Sequence, residues 1–201
     1  MALHRRPIFV LLGGPNGAGK STMTPHVQIG PKIDPDYIAK LINPMNPDAA
    51  ALPAAREAIR DLKSFKEQGR SFTYETTLAS NAALKEIADA RAKNYEIRLY
   101  FVALATWQQS ARRVAYRVES GGHNIPLEAI HRRFEITFAH ATIAAPLVDR
   151  FELIDNHKGE TRSVLLIEDG AIQRRETSDS PRITQAIADI ISAVAAARVP
   201  T

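Results

Sequence analysis

The segment Ile8-Phe9-Val10-Leu11-Leu12-Gly13-Gly14-Pro15-Asn16-Gly17-Ala18-Gly19-Lys20-Ser21-Thr22 decides the fold. Ile8 to Leu12 is an apolar run without the alternation of a half-exposed strand, so it predicts a strand buried on both faces, the kind found in parallel sheets. Gly14 to Ser21 then fits G-x-x-x-x-G-K-[ST], and Ser21 to Val27 carries a helical pattern. Strand, glycine loop and helix in that order are the context this phosphate-binding motif requires. Its glycines let backbone N–H groups turn toward phosphate oxygens, and the helix N-terminus adds a positive dipole end. Gly14, Pro15, Asn16, Gly17, Ala18, Gly19, Lys20, Ser21 and Thr22 are therefore the candidate ATP-binding residues. Lys20 is expected on the β- and γ-phosphates and the Ser21 hydroxyl on Mg²⁺.

The same rhythm repeats downstream. Lys32 to Asp34 reads as a short extended piece before a helix over Tyr37 to Ile42, and Ser71 to Glu75 as a strand before a helix over Ala82 to Lys93. Glu96 to Ala105 predicts a second buried strand. Further helices are predicted over Ala54 to Gln68, closed by Gly69, and over Gln108 to Glu119, closed by Gly121-Gly122. Another runs over Leu127 to Ala145, opened by Pro126, whose fixed φ suits a first turn. Phe151 to Asp155 predicts a last parallel strand; Val164 to Ile167 and Ala171 to Arg174 form a hairpin around Asp169-Gly170, and Ile183 to Ala197 a final helix. Strands alternating with helices imply an α/β fold, here a P-loop kinase-like three-layer sandwich with a mainly parallel central sheet, helices on both faces and a C-terminal hairpin and helix. At roughly 150 residues per domain, 1–201 is expected to be one domain, with its core over about 7–156 and the hairpin and helix over 157–201.

Composition removes several function classes. Hydrophobic residues make up 45% and charged residues 24%, which is ordinary for a globular chain and excludes disorder. The absence of cysteine excludes disulfides, thiolate zinc sites and cysteine nucleophiles. Although Arg5 and Arg6 precede it, the apolar run Ile8 to Leu12 is too short for a signal segment or a membrane span, so a soluble cytoplasmic protein with no membrane partner is expected. The net charge of +4 is too small to argue for nucleic acid. Positive charge is concentrated locally, in Arg112, Arg113, Arg117, Arg132 and Arg133 against Glu119 and Glu128, where an anionic ligand fits. The histidines His4, His26, His131, His140 and His157 show no metal-ligand spacing.

A phosphate loop does not define what accepts the phosphate. The chain has no N-K-x-D motif of a GTPase, and Glu119-Ser120-Gly121-Gly122-His123 does not match the signature of a transport ATPase, which leaves the small-kinase class. A kinase needs a base near the γ-phosphate. Asp34 and Asp36 come off the C-terminal end of the second short strand, where α/β sheets build their sites, and only one of them need face the phosphate, the other being free to cap the helix. Glu75-Thr76-Thr77 closes the next strand at the same edge, a hydrogen-bonding set for a hydroxylated acceptor or a metal-bound water. Arg113 and Arg117 share a helical face at i, i+4, a repulsive pair unless an anion lies near them. By the same periodicity Leu127, Ile130, Phe134, Phe138 and Ala141 form an apolar stripe with Arg133 on its flank and Arg132 opposite in solvent. His123 sits in a Gly-Gly-His-Asn-Ile-Pro turn suited to closing over a nucleotide.

Taken together, GGPNGAGKST, IDPDYIA, GRSFTYETTL, RLYFVALA, SARRVAYRVESGGHNIP and IHRRF resemble the short branch of the zeta toxin family over roughly Ile8 to Asn156. The resemblance implies a kinase that uses ATP and Mg²⁺ to phosphorylate a sugar hydroxyl, in well-known members that of UDP-N-acetylglucosamine, with an antitoxin protein as partner. It makes Asp36 the general base and places Glu75 and Thr77 on the sugar nucleotide; Asp34, Arg113 and His123, singled out above from their own positions, are further candidates for the substrate site. Arg117 would stabilise the transferring phosphoryl group, with a second cation from Arg133 or, at the family's own arginine position, His123. Asn156 resembles the adenine-side loop of P-loop kinases. Where family members carry an arginine shortly after the Thr77 position, this chain has Leu78-Ala79-Ser80. A nucleotide-dependent switch acting through a protein partner, or a kinase of another small molecule or of a nucleic-acid hydroxyl, is the alternative.

Overall fold

The computed structural model describes residues 6–119 and 124–198. Its centre is β1 (Ile8–Gly13), in which Phe9, Val10, Leu11 and Leu12 are all completely buried. A strand with no exposed face must have neighbours on both edges and cover on both sides. Both neighbours are parallel: β3 (Phe72–Glu75) on one edge and β4 (Glu96–Ala103) on the other, with Leu12 opposite Glu75 in one register and Tyr100 in the other. β2 (Lys32–Ile33) adds to β3, and β5 (Arg150–Asp155) adds to β4, both parallel. The antiparallel hairpin β6 (Arg162–Glu168) and β7 (Ala171–Arg175) completes a seven-stranded sheet ordered β2-β3-β1-β4-β5-β6-β7.

The helices are α1 (Lys20–Val27), α2 (Pro35–Ile42), α3 (Ala51–Glu67), α4 (Asn81–Ala92), α5 (Trp107–Glu119), α6 (Leu127–Ala144) and α7 (Pro181–Ala196). They cover both faces of the sheet, the α/β architecture expected. Four are anchored in one core by their apolar stripes, Ala58 and Leu62 from α3, Ile87 from α4, Phe134 and Phe138 from α6, and Ile183, Ile187 and Ile190 from α7, while Ala39 of α2 and Val114 of α5 pack in smaller clusters of their own. Phe9 stacks on Phe72 with ring centroids 4.7 Å apart, and Phe101 meets Phe138 edge-on at 5.2 Å. Such aromatic pairs add about 1 kcal/mol each to the burial itself.

Several boundaries and orientations differ from expectation. α3 starts at Ala51 rather than Ala54, because the 3₁₀ turn Pro47–Ala50, capped by the Asn46 side chain, feeds straight into it. α7 starts two residues early, since Ser180 caps it and Pro181 occupies its first turn. β4 stops at Ala103, not Ala105. Leu127 does not belong to the buried stripe of α6: it is 57% exposed in the first turn, and the stripe begins at Ile130. Arg132 is exposed, as its angle required. No helix among the described residues is long and apolar enough to cross a membrane.

Candidate active site

The parallel strands end together, and the chain leaves β1 toward β2 and β3 on one side while β4 lies on the other. That reversal opens a crevice at the carboxyl ends, where ligands of open α/β sheets bind. The phosphate loop fills its mouth. Gly14, Gly17 and Gly19 have φ of 140°, 70° and 89°. A Cβ on Gly14 would meet the Val102 carbonyl at 2.3 Å, and one on Gly19 the Asn156 side chain at 2.6 Å. Conformation favours glycine at both, and at Gly14 backbone crowding requires it as well, whereas at Gly19 the obstacle is a side-chain end.

Lys20 opens α1 and is buried, with its ammonium donating to the carbonyls of Gly14 (3.0 Å) and Pro15 (3.1 Å). Burial lowers its pKa, helped by the positive charge of Arg117 and opposed by Glu75, Asp36 and Asp34. A desolvated ammonium whose partners here are two carbonyls of its own loop is a seat for an anion. The Ser21 hydroxyl donates to Glu75 Oε1 at 3.4 Å. This hydroxyl–carboxylate pair is the hard-oxygen donor set that Mg²⁺ prefers.

Asp34 terminates β2 and caps α2: its Oδ1 accepts from the backbone N–H groups of Asp36 (3.1 Å) and Tyr37 (3.3 Å). Lys32 joins it to the next strand, donating to Asp34 Oδ2 (3.0 Å) and Glu75 Oε2 (3.1 Å). Burial pushes the Lys32 ammonium down, but the two carboxylates outweigh it and hold its pKa above the ordinary value. Asp36, the second residue of α2, is exposed, and its carboxylate takes no part in the cap.

A cleft of about 490 Å³ brings these groups together. Lys20 and Asn16 line it from the loop, Asp34 and Asp36 from α2, Glu75 and Thr77 from the end of β3, and Arg133 from α6. Arg117, in the last turn of α5, is close enough to Lys20 to depress its pKa but does not line the cleft. Arg113 lies on the other side of the loop. Its guanidinium donates to the Asn156 carbonyl at 2.7 Å, so the helical face it shares with Arg117 does not bring it to Glu75 and Thr77. Asn156, 6% exposed, donates through Nδ2 to the Ala18 carbonyl at 2.7 Å and props the loop from below, while its Oδ1 has no partner in the buried space. Ser110 of α5 donates to the Asn16 carbonyl. His123, with residues 120–122, lies outside the described residues.

Three contributors gave no motif signal. Lys32 bridges two carboxylates, Ser110 holds the loop, and α6 holds the segment after β3: Thr137 donates to the Thr77 carbonyl, and His140 Nδ1 lies 2.8 Å from that of Leu78. Helical periodicity places Thr137 and His140 on the face of Arg133, a clue available without coordinates. Among the described residues no cluster of three His, Asp or Glu side chains is arranged to hold a metal by itself.

The model of the zeta toxin family matches residues 52–163, more than half of the chain. The chain belongs to the zeta toxin family. The matched span starts beyond the phosphate loop and takes in Glu75, Thr77, both arginine helices and Asn156. An uncharacterised protein of Haemophilus influenzae is 32% identical over 123 residues, covering 60% of this chain and 88% of that protein. Among solved structures, the AvrRxo1-ORF1:AvrRxo1-ORF2 complex with sulphate ions aligns with a TM-score of 0.68 at 14% identity over 98% of this chain. The chain spans 66% of that protein's length, just under two thirds. The same complex with ATP gives 0.66 at 12% identity, covering 96% and 77% of the two chains. The PezAT chromosomal toxin-antitoxin system of Streptococcus pneumoniae gives 0.64 at 18% identity, covering 90% and 78%. These likenesses establish a zeta toxin member with a P-loop kinase-like fold.

Proposed function

We propose that this zeta toxin family member is an ATP-dependent kinase that transfers the γ-phosphoryl group to a hydroxyl of a small acceptor. A nucleotide sugar such as UDP-N-acetylglucosamine is the acceptor that the family suggests. One observation carries the reading: the buried ammonium of Lys20 opens onto the same cleft as Asp36, Glu75, Thr77 and Arg133. The structure determined with ATP is a neighbour's and supports ATP as the donor through the shared fold.

Gly14 to Thr22 would hold the phosphates, with backbone N–H groups and Lys20 facing the β- and γ-oxygens. Ser21, with Glu75 beside it, would hold Mg²⁺, which when bound neutralises charge on the transferring phosphate. Asp34 is committed to the cap and to Lys32, so Asp36 is the carboxylate available to take the acceptor's proton. Glu75 and Thr77 orient the acceptor. Arg133 from the cleft wall and Arg117 from above Lys20 supply positive charge as it builds on the phosphoryl oxygens. Asn156 supports the loop at the adenine side.

Incubating the protein with ATP, Mg²⁺ and a panel of sugar nucleotides, and following acceptor mass, tests this directly. A phosphorylated product that disappears in both Lys20→Ala and Asp36→Asn is expected; a product indifferent to both changes would sink the reading. PezAT is a toxin-antitoxin system. A protein partner covering the cleft is therefore a second reading, favoured if the protein binds ATP tightly yet phosphorylates no acceptor.

A further inference from the structure

The segment after β3 is shaped from far along the chain. Leu78 is completely buried at φ +59°, in the left-handed region that a bulky side chain enters only when its surroundings impose it. Three side chains hold it there. Thr76 Oγ1 accepts from the Leu78 N–H at 3.1 Å, Thr137 Oγ1 donates to the Thr77 carbonyl, and His140 Nδ1 donates to the Leu78 carbonyl at 2.8 Å. Because a carbonyl only accepts, Nδ1 carries the proton in that contact. Thr137 is itself fully buried, so its hydroxyl has no water to turn to.

Arg133, Thr137 and His140 stand at i, i+4 and i+7 of one helix and therefore share a face. That face meets the loop that carries Thr77, and Arg133 lines the same cleft as Thr77. We propose that Thr137 and His140 are positioning residues of the acceptor site, tying the 76–80 loop and Arg133 into one rigid unit. Through them a single helix sets how far the acceptor hydroxyl stands from the cation that receives charge in transfer. The kinetic half of this inference rests on the kinase reading above, and the conformational half does not.

Amide hydrogen exchange of the full chain tests the conformational half in Thr137→Val, Thr137→Ser, His140→Leu and His140→Asn. Thr137→Val keeps the shape and removes the donor, and Thr137→Ser keeps the donor. His140→Asn retains an N–H near the place of Nδ1. Faster exchange over residues 76–80 in the Val and Leu variants, unchanged exchange over residues 14–22, and near-normal protection in the Ser and Asn variants are expected. Loss of protection throughout the chain in both the Val and Leu variants would mean a merely structural role and overturn the proposal, as would no change anywhere.

With UDP-N-acetylglucosamine as the acceptor probe, the Val and Leu variants should lose about a hundredfold in kcat/KM for the acceptor, the penalty of a slight misplacement of reacting groups. KM for ATP should stay within about twofold of the parent value, since the phosphate loop is untouched. An equal loss in ATP affinity would count against positioning. If the unmodified protein phosphorylates no acceptor in the panel, the kinase reading and the kinetic half fail together. The exchange pattern still decides whether Thr137 and His140 hold the loop.

Discussion

The two loops that line the cleft from neighbouring strands reach left-handed backbone by opposite means. The phosphate loop uses glycine at all three positive-φ positions, and at Gly14 the Val102 carbonyl crowds the site in a way that only glycine tolerates. The acceptor loop uses Leu78, held by Thr137 and His140 from 60 and 62 residues away. A glycine carries its freedom with it, so the first loop can take its shape from local sequence. The second takes two of the hydrogen bonds that hold it from α6. One loop is a local device, and the other is a product of tertiary structure.

The sharpest way to break that contrast is Gly14→Val. Its side chain would run into the Val102 carbonyl, and the expected loss is about 4 kcal/mol, read as a fall in the urea midpoint or as a failure to fold. A variant with the parent midpoint would show that the loop is not seated as tightly as described. Lys20→Met should cost about a thousandfold in phosphoryl transfer, comparable to removing a preorganised charge-stabilising donor, while leaving the unfolding midpoint at or above that of the parent. Leu78→Gly addresses the other loop. Relief of about 1 kcal/mol of backbone strain is outweighed by the loss of a fully buried leucine, for a net cost of about 2 kcal/mol by denaturant unfolding. A stabilised glycine variant would mean that strain, not packing, dominates at this position.

Asn156→Ala strips the prop from the Ala18 carbonyl and should weaken binding of a non-hydrolysable ATP analogue about tenfold, roughly the value of one lost hydrogen bond. The smallest effect is pH dependence. Burial lowers the Lys20 pKa in the fold. Between that lowered value and the ordinary lysine range, the unfolded chain therefore binds more protons than the folded one. The stability of the parent relative to Lys20→Met should then rise as pH climbs through that window, and stay constant below it. Paired unfolding curves across the window measure this, and a flat difference would show that Lys20 is not desolvated.

The contrast between the loops also explains what could be read before the structure. β1, the phosphate loop and the C-terminal hairpin were legible because unbroken apolar runs, glycines and an Asp-Gly turn act locally. The cap at Asp34 was legible as one of two alternatives for the same reason. Arg113 misled: periodicity gives the face of a helix, but a long guanidinium goes to the nearest acceptor, here the Asn156 carbonyl. Leu127 misled because the place beside Ile130 and Val114 is taken by Ile125, ahead of the helix, which leaves Leu127 exposed despite its angle. Lys32 left no local trace, and Thr137 and His140 left only a helical face shared with Arg133, since their partners are supplied by strand ends and loops that only the fold assembles.

The two outermost strands carry a further meaning. β2 is two residues long, and β7 ends in Gln173, Arg174 and Arg175, all exposed. A strand from another molecule would find almost no ladder to join on one side, and on the other would have to lie against adjacent positive charges. The sheet is thus closed to growth at both borders, and copies of the protein crowded together have little means of stitching into a continuous ribbon.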